Sequence, residues 1–205
     1  MDKAVVFIIA GYMSGSILFA RLSEQLSNKG TFIQDSKDKN PGTANAFQYG
    51  GFWCGVFTLI GDLLKGFLPL RLYIRSGGDF FTYPLLASAV LAAPVLGHAF
   101  PVFFRFQGGK GIAVTFGCLL GIFPMTEPFS LLALMFLIFT FVLRITPHFQ
   151  RTIVTYMAAC LCMIGLHYEQ GVIGGFMIMT MIVCVRLHMS REKREKMGVK
   201  LLWRH

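Results

Sequence analysis

The chain has 205 residues, of which 55% are hydrophobic and only 14% charged, with a mean hydropathy of +0.61. Soluble domains carry about 25% charged residues, so an ordinary water-soluble fold is excluded and one integral membrane domain, 1–205, is indicated. The net charge of +9 does not signal nucleic acid, because Lys and Arg sit in short loops between apolar runs and not on one face with aromatic platforms.

Seven apolar segments lie within reach of the ~20 residues a spanning helix needs: about 4–20, 50–70, 80–97, 111–123, 129–143, 152–167 and 171–185. The expected fold is therefore all-α and polytopic, with about seven transmembrane helices. The first segment carries a GxxxGS pattern suited to close helix packing and reads as a retained span, not a signal peptide. The second contains Asp62, Lys65 and Pro69 and could be one helix or two. If the N-terminus is outside, the inside segments 21–49, 98–110, 144–151 and 186–205 hold 15 of the 19 Lys and Arg residues. That asymmetry places the N-terminus out and the C-terminus in. No internal repeat of the kind found in inverted-repeat transporters is visible.

Polar clusters gather at the inside ends. In SKDKNPGTANAFQYGG, Pro41 fixes φ and Gly42 can take positive φ, while Asn40 and Asn45 offer side-chain donors at a helix start. Such a stretch can hold a phosphate or can simply be a capped reverse turn. In FRFQGGKGIAV, Gly108, Gly109 and Gly111 can form a concave nest of N–H donors, with the positive end of the next helix behind and Lys110 as a mobile charge. The spacing is not that of a P-loop. An anion cradle and a flexible loop with a snorkelling lysine both fit. Asp62 and Lys65, three apart, share a helix face and are expected to pair, either as structure alone or as part of a site. His98, before Pro101, is a helix cap or a proton handler.

The basic tail after Arg186 suits anionic lipid, at about 1 kcal/mol per basic residue near the surface. It accounts less well for His188. His148, His167 and His205 read as structural or solvated. The five cysteines all lie in apolar segments without metal-ligand spacing and read as packing residues; no metal is expected.

In order and spacing, GSILFARL, NPGTAN, GDLLKGFLP, LGHAFPVFFRFQGGKGIAVTFG and the terminal RLHMSREKR…MG resemble the PlsY family of acyl-phosphate:glycerol-3-phosphate acyltransferases, over nearly the whole chain. The resemblance implies a multi-pass enzyme of the bacterial cytoplasmic membrane with its active site facing the cytoplasm. Its reaction would move an acyl group from acyl-phosphate to the 1-hydroxyl of glycerol-3-phosphate, giving lysophosphatidic acid without a metal or coenzyme A. It implies phosphate binding by Lys110 with Gly108, Gly109 and Gly111, a first motif at Asn40, Gly42 and Asn45, and a catalytic role for His188 beside Lys110. The chain departs from the family pattern where Asp38 replaces a phosphate-contacting serine and Gln48 an arginine. Arg191 stands where an asparagine is usual, Gly198-Val199-Lys200 replaces glycine-x-glutamate, and the serines usual after the fifth span are absent. Lys37 and Lys39 flank Asp38, and Arg191 could supply a cation from the other side, so the acceptor half of the site reads as rebuilt. Two other readings stay open: a paralogue with a different acceptor, and a non-catalytic acyl-phosphate-binding membrane protein.

Overall fold

A computed structural model describes residues 2–27, 31–190 and 196–201. The chain is predominantly helical. In order it forms α1 (Asp2–Gly15), α2 (Phe19–Leu26), the short α3 (Phe32–Asp35) and α4 (Thr43–Asn45), a π-type turn over Ala46–Gly50, and α5 (Phe52–Arg75). There follow α6 (Pro84–Ala99), a 3-10 turn over Val102–Phe104, α7 (Ile112–Gly121), and α8 (Glu127–Leu137), which continues as a π-type turn over Ile138–Val142. The two-residue strand β1 (Ile145–Thr146) then leads into α9 (His148–Gly165), α10 (Gln170–Met189) and the strand β2 (Gly198–Val199).

Among the described residues, four helical stretches are long and apolar enough to cross a membrane: Lys3–Leu26, Phe52–Arg75, Pro84–Phe104 and Gln170–Met189. Ile112–Gly121 and Glu127–Val142 are apolar but shorter. The all-α expectation needs one amendment, because β1 and β2 pair antiparallel, Ile145 opposite Val199 and Thr146 opposite Gly198. The second apolar segment is one continuous helix, with Pro69 inside it.

Proline at position 69 has no N–H to offer the carbonyl of Lys65, one turn earlier. The Ser14 hydroxyl of α1 donates to that carbonyl at 3.0 Å. A side chain on one helix thus satisfies the backbone acceptor that a proline leaves open on its neighbour, as a lipid environment requires.

Helix α6 lies at the centre, packed against α1 on one side and α10 on the other, with α5 and α7 beside it. The contact with α1 is backbone to backbone. A Cβ on Gly15 would lie 2.1 Å from the Pro94 carbonyl oxygen, and one on Gly97 would lie 2.1 Å from that of Tyr12. The GxxxG pattern of α1 is therefore a packing surface, as its spacing predicts. Gly66 and Gly117 do the same between α5 and α7, each set against the other helix's backbone.

The remaining side of the molecule packs differently. Phe116 of α7 meets Phe129 and Phe136 of α8 at ring centroid distances of 5.6 and 5.8 Å. Phe136 leads on to Tyr156, which stacks on Phe176 at 5.6 Å. Side-chain rings, not helix backbones, make these joints. Outward-facing Val6, Ile9, Leu68, Leu72, Leu161 and Met181 leave the apolar exterior that hydrocarbon contact needs.

One polar cluster lies inside the bundle. Lys65 is buried, its Nζ 2.8 Å from Asp62 Oδ1, 2.7 Å from His98 Nδ1 and 2.6 Å from the carbonyl oxygen of Ile17, to which it donates. Because Nδ1 faces an ammonium donor, His98 carries its proton on Nε2. The expected Asp62–Lys65 pair is present, and it also binds α6 and the end of α1. Lys65→Met should leave Asp62 buried without a cation and cost about 3–5 kcal/mol. The double variant Asp62→Asn with Lys65→Met should cost less than that single change. Thermal unfolding in detergent checks both, and an equal or larger loss in the double variant would exclude this account.

Candidate active site

The loop over 36–45 is held by two side chains. The Asn45 amide donates to Asp38 Oδ1 at 2.7 Å, to the carbonyl of Asn40 at 2.8 Å and to Ser36 Oγ at 3.1 Å. Asp38 Oδ1 also accepts the backbone N–H of Asn40 at 3.3 Å, an Asx-type turn. The residue with positive φ in this turn is Lys39, at +50°, while Gly42 is extended at −136°. The expectation that Gly42 supplies the left-handed position is corrected: Lys39 supplies it. A Cβ on Gly42 would instead crowd the Asn40 amide at 2.8 Å.

The second loop lies against the end of α6. The Gly109 N–H donates to the His98 carbonyl at 3.0 Å, and a Cβ on Gly109 would meet His98 Nε2 at 2.2 Å. A Cβ on Gly108 would overlap the same carbonyl. These glycines are required by close approach to α6, so the expected nest of donors is modified: the Gly109 N–H is already bound within the protein. Gly111, at φ +84°, is the N-cap residue of α7 and turns the chain so that the first turn of that helix faces the cavity. The N–H groups of a first turn have no partner within their helix, and they carry its positive dipole end.

Lys110 lies between these loops. Its Nζ donates to Asp38 Oδ2 at 2.9 Å, with 11% of the lysine side chain and 9% of the aspartate exposed. Burial alone would raise the Asp38 carboxyl. The hydrogen bonds from Asn45 and Lys110, the lysine charge and the Asn40 N–H outweigh it and hold the carboxyl below its usual range. The pair's contribution to stability is therefore complete above the ordinary carboxylate value of ~3.9, and is lost only as pH falls through the lowered one.

Both loops open on a cavity of about 700 Å³. Its polar end carries Asp38, Asn40, Asn45, Gln48 and Lys110, with Thr43, Asp62, His98 and His148 beside them. The Thr43 hydroxyl donates to Asp62 Oδ2 at 3.5 Å, which joins the loop to the buried Lys65 cluster. From this end an apolar slot runs between α5, α7 and α8, walled by Leu59, Leu63, Ile112, Phe116, Leu120 and Phe129. Among the described residues, no group of three His, Cys, Asp or Glu side chains comes together to hold a metal ion.

The structure thus brings together Asp38, Asn40, Gly42, Asn45, Gln48, Lys110 and Gly111 on one cavity. Gly108 and Gly109 support it from behind. His188 does not line it; its side chain is exposed in the last turn of α10. From the same turn Arg186 reaches the loop, donating to the Gly108 carbonyl, with its guanidinium 5.4 Å above the Phe100 ring. Arg191 and His205 lie outside the described residues. His148, expected to be structural or solvated, is exposed and also lines the cavity, which its sequence surroundings did not signal. It opens α9 at the end of the bundle to which α8 returns.

A family model for glycerol-3-phosphate acyltransferase matches residues 5–196. Curated relatives carrying that name include one from Halorhodospira halophila, 40% identical over 59% of each chain. Another, from Pseudomonas putida strain GB-1, is 35% identical over 72% of this chain and 74% of the relative. The matched stretch therefore spans about three fifths of the Halorhodospira protein's length. Two crystal structures of PlsY, an integral membrane glycerol 3-phosphate acyltransferase, are similar in fold. The glycerol 3-phosphate form has a TM-score of 0.76 and 27% identity, covering 91% of this chain and 88% of the other. The lysophosphatidic acid form has a TM-score of 0.72 and 29% identity, covering 89% and 87%. On the extent of these matches, the chain belongs to the glycerol-3-phosphate acyltransferase family.

Proposed function

We propose that this protein transfers an acyl group from acyl-phosphate to the 1-hydroxyl of glycerol-3-phosphate, releasing inorganic phosphate and lysophosphatidic acid. The observation that carries the reading is a cationic, polar pocket at the head of an apolar slot, which suits a donor with an anionic head and a hydrocarbon tail. The acyl chain lies between α5, α7 and α8, and its phosphate meets Lys110 and the first turn of α7. The acceptor hydroxyl attacks the carbonyl carbon, the bond from that carbon to the phosphate oxygen breaks, and the hydroxyl proton is released with the phosphate. A mixed anhydride is already activated, so positioning and charge stabilisation are the protein's main work. His188 is exposed in the last turn of α10, the turn from which Arg186 reaches the glycine loop.

The charge asymmetry of the loops supports seven spans, with the N-terminus out, the C-terminus in and the cavity mouth facing the cytoplasm of a bacterium. A cysteine introduced at Lys200 should then react with an impermeant maleimide only from the cytoplasmic side. Labelling from outside intact cells would reverse the topology.

Asp38, paired with Lys110, keeps a carboxylate on the polar end of the cavity beside Gln48, where it repels a dianionic acceptor. That observation favours one second reading: the same transfer to an acceptor less anionic than glycerol-3-phosphate. Lys110→Ala should lower kcat/KM for palmitoyl-phosphate about a hundredfold. Asp38→Ser with Gln48→Arg should raise kcat/KM for glycerol-3-phosphate about tenfold, the ~1.4 kcal/mol of a charge-assisted contact. A fall in the double variant would favour the second reading.

A further inference from the structure

The cavity has a polar wall that neither the glycine loop nor the Asn45 loop supplies. Helix α7 begins at the polar end with Gly111 and Ile112, α8 runs back toward that end, and α9 begins there. His148 is the first residue of α9 and lines the cavity that Asp38, Gln48 and Lys110 also line. Its side chain is exposed, which puts it at the aqueous mouth, whereas Lys110 is mostly buried at the head of the slot.

The segment that delivers His148 is held from outside. Three residues before it, β1 pairs with β2 from the C-terminal segment. The Lys200 N–H donates to the Arg144 carbonyl at 3.4 Å, and the Thr146 hydroxyl donates to the Gly198 carbonyl at 3.4 Å. In an antiparallel ladder, hydrogen-bonded and non-bonded pairs alternate, so the bonded pair at 144 and 200 makes Thr146 and Gly198 the next bonded pair. Behind His148, the Thr152 hydroxyl donates to its carbonyl at 2.9 Å. The residue is thus set by a ribbon on one side and a helix on the other.

We infer that His148 is a specificity-determining contact for the polar acceptor, held at the cavity mouth by the β1–β2 ribbon. An imidazole offers one donor and one acceptor nitrogen, which suits a hydroxyl or phosphate oxygen arriving from water. Its place at the mouth assigns it to the acceptor; the donor's hydrocarbon occupies the apolar slot. The inference rests on the proposed acyl transfer, and it assigns the acceptor's contact.

The test uses full-length purified protein with palmitoyl-phosphate and glycerol-3-phosphate. His148→Ala should raise KM for glycerol-3-phosphate about tenfold, the change expected for losing ~1.4 kcal/mol of binding, while KM for palmitoyl-phosphate and kcat stay within about twofold. His148→Gln, which keeps a donor and an acceptor, should recover most of that loss and also serves if the alanine variant folds poorly. Gly198→Pro, which removes a ribbon N–H at a residue that does not line the cavity, should raise the same KM severalfold. An unchanged acceptor KM in His148→Ala, or equal rises in both KM values, would overturn the contact; an unchanged value in Gly198→Pro would overturn the ribbon's part. Thermal shift with glycerol-3-phosphate alone separates this from the reaction. Stabilisation of the wild type that is lost in His148→Ala supports the contact even if no lysophosphatidic acid forms, which would count against the acyl transfer alone. No stabilisation of the wild type would overturn the contact.

Discussion

A lysine ammonium buried among apolar helices has few places to be stable, and Lys65 occupies one of them. Asp62 neutralises it, His98 accepts from it, and the Ile17 carbonyl takes a third contact. Removing a cation from water is costly unless it is paired and its donors are all used. This one requirement brings the end of α1, the middle of α5 and the end of α6 to a common point. The site is built outward from it: Asp62 accepts from Thr43 of the first loop, and His98 carries the floor on which Gly108 and Gly109 rest.

At the cavity surface lies a second pair of charges, Lys110 and Asp38. Lys65 and Asp62 pair inside the bundle, whereas Lys110 and Asp38 pair between two loops. The Lys110 side chain is largely enclosed, and its counter-ion belongs to a turn of the chain, not to a packed helix. Asn45, which a reading of donors alone would aim at phosphate, spends its amide on the carboxylate. The loop is therefore a coherent unit: Asp38 is oriented by Asn40 and Asn45 and neutralised by Lys110.

Much of this was legible from residue order. The i, i+3 spacing of Asp62 and Lys65 predicted their pairing, GxxxG predicted close helix packing by α1, and the polar stretches around Asp38, Asp62, His98 and Lys110 meet on one cavity. What stayed hidden depends on contacts distant in sequence. Ser14 meets the carbonyl freed by Pro69 only because α1 lies against α5. The glycines of the second loop suggested free donors, yet their absent side chains are explained by the end of α6, a tertiary neighbour. His148 has no motif around it, and its place on the cavity follows from where α8 delivers the chain. The two-residue strands were too short to leave a periodic pattern.

The two ways in which the helices are joined divide the molecule mechanically. Where α1 meets α6, and where α5 meets α7, main chain lies on main chain, and nothing there can yield without moving a whole helix. Across α7, α8 and α9 the joints are phenylalanine and tyrosine rings, which turn about their own bonds. The slot lies between the two kinds of joint, with α5 locked against α7 on one side and the rings of α7 and α8 on the other. Under the proposed acyl transfer, a hydrocarbon tail in that slot would rest on locked main chain along one side and on a row of aromatic rings along the other.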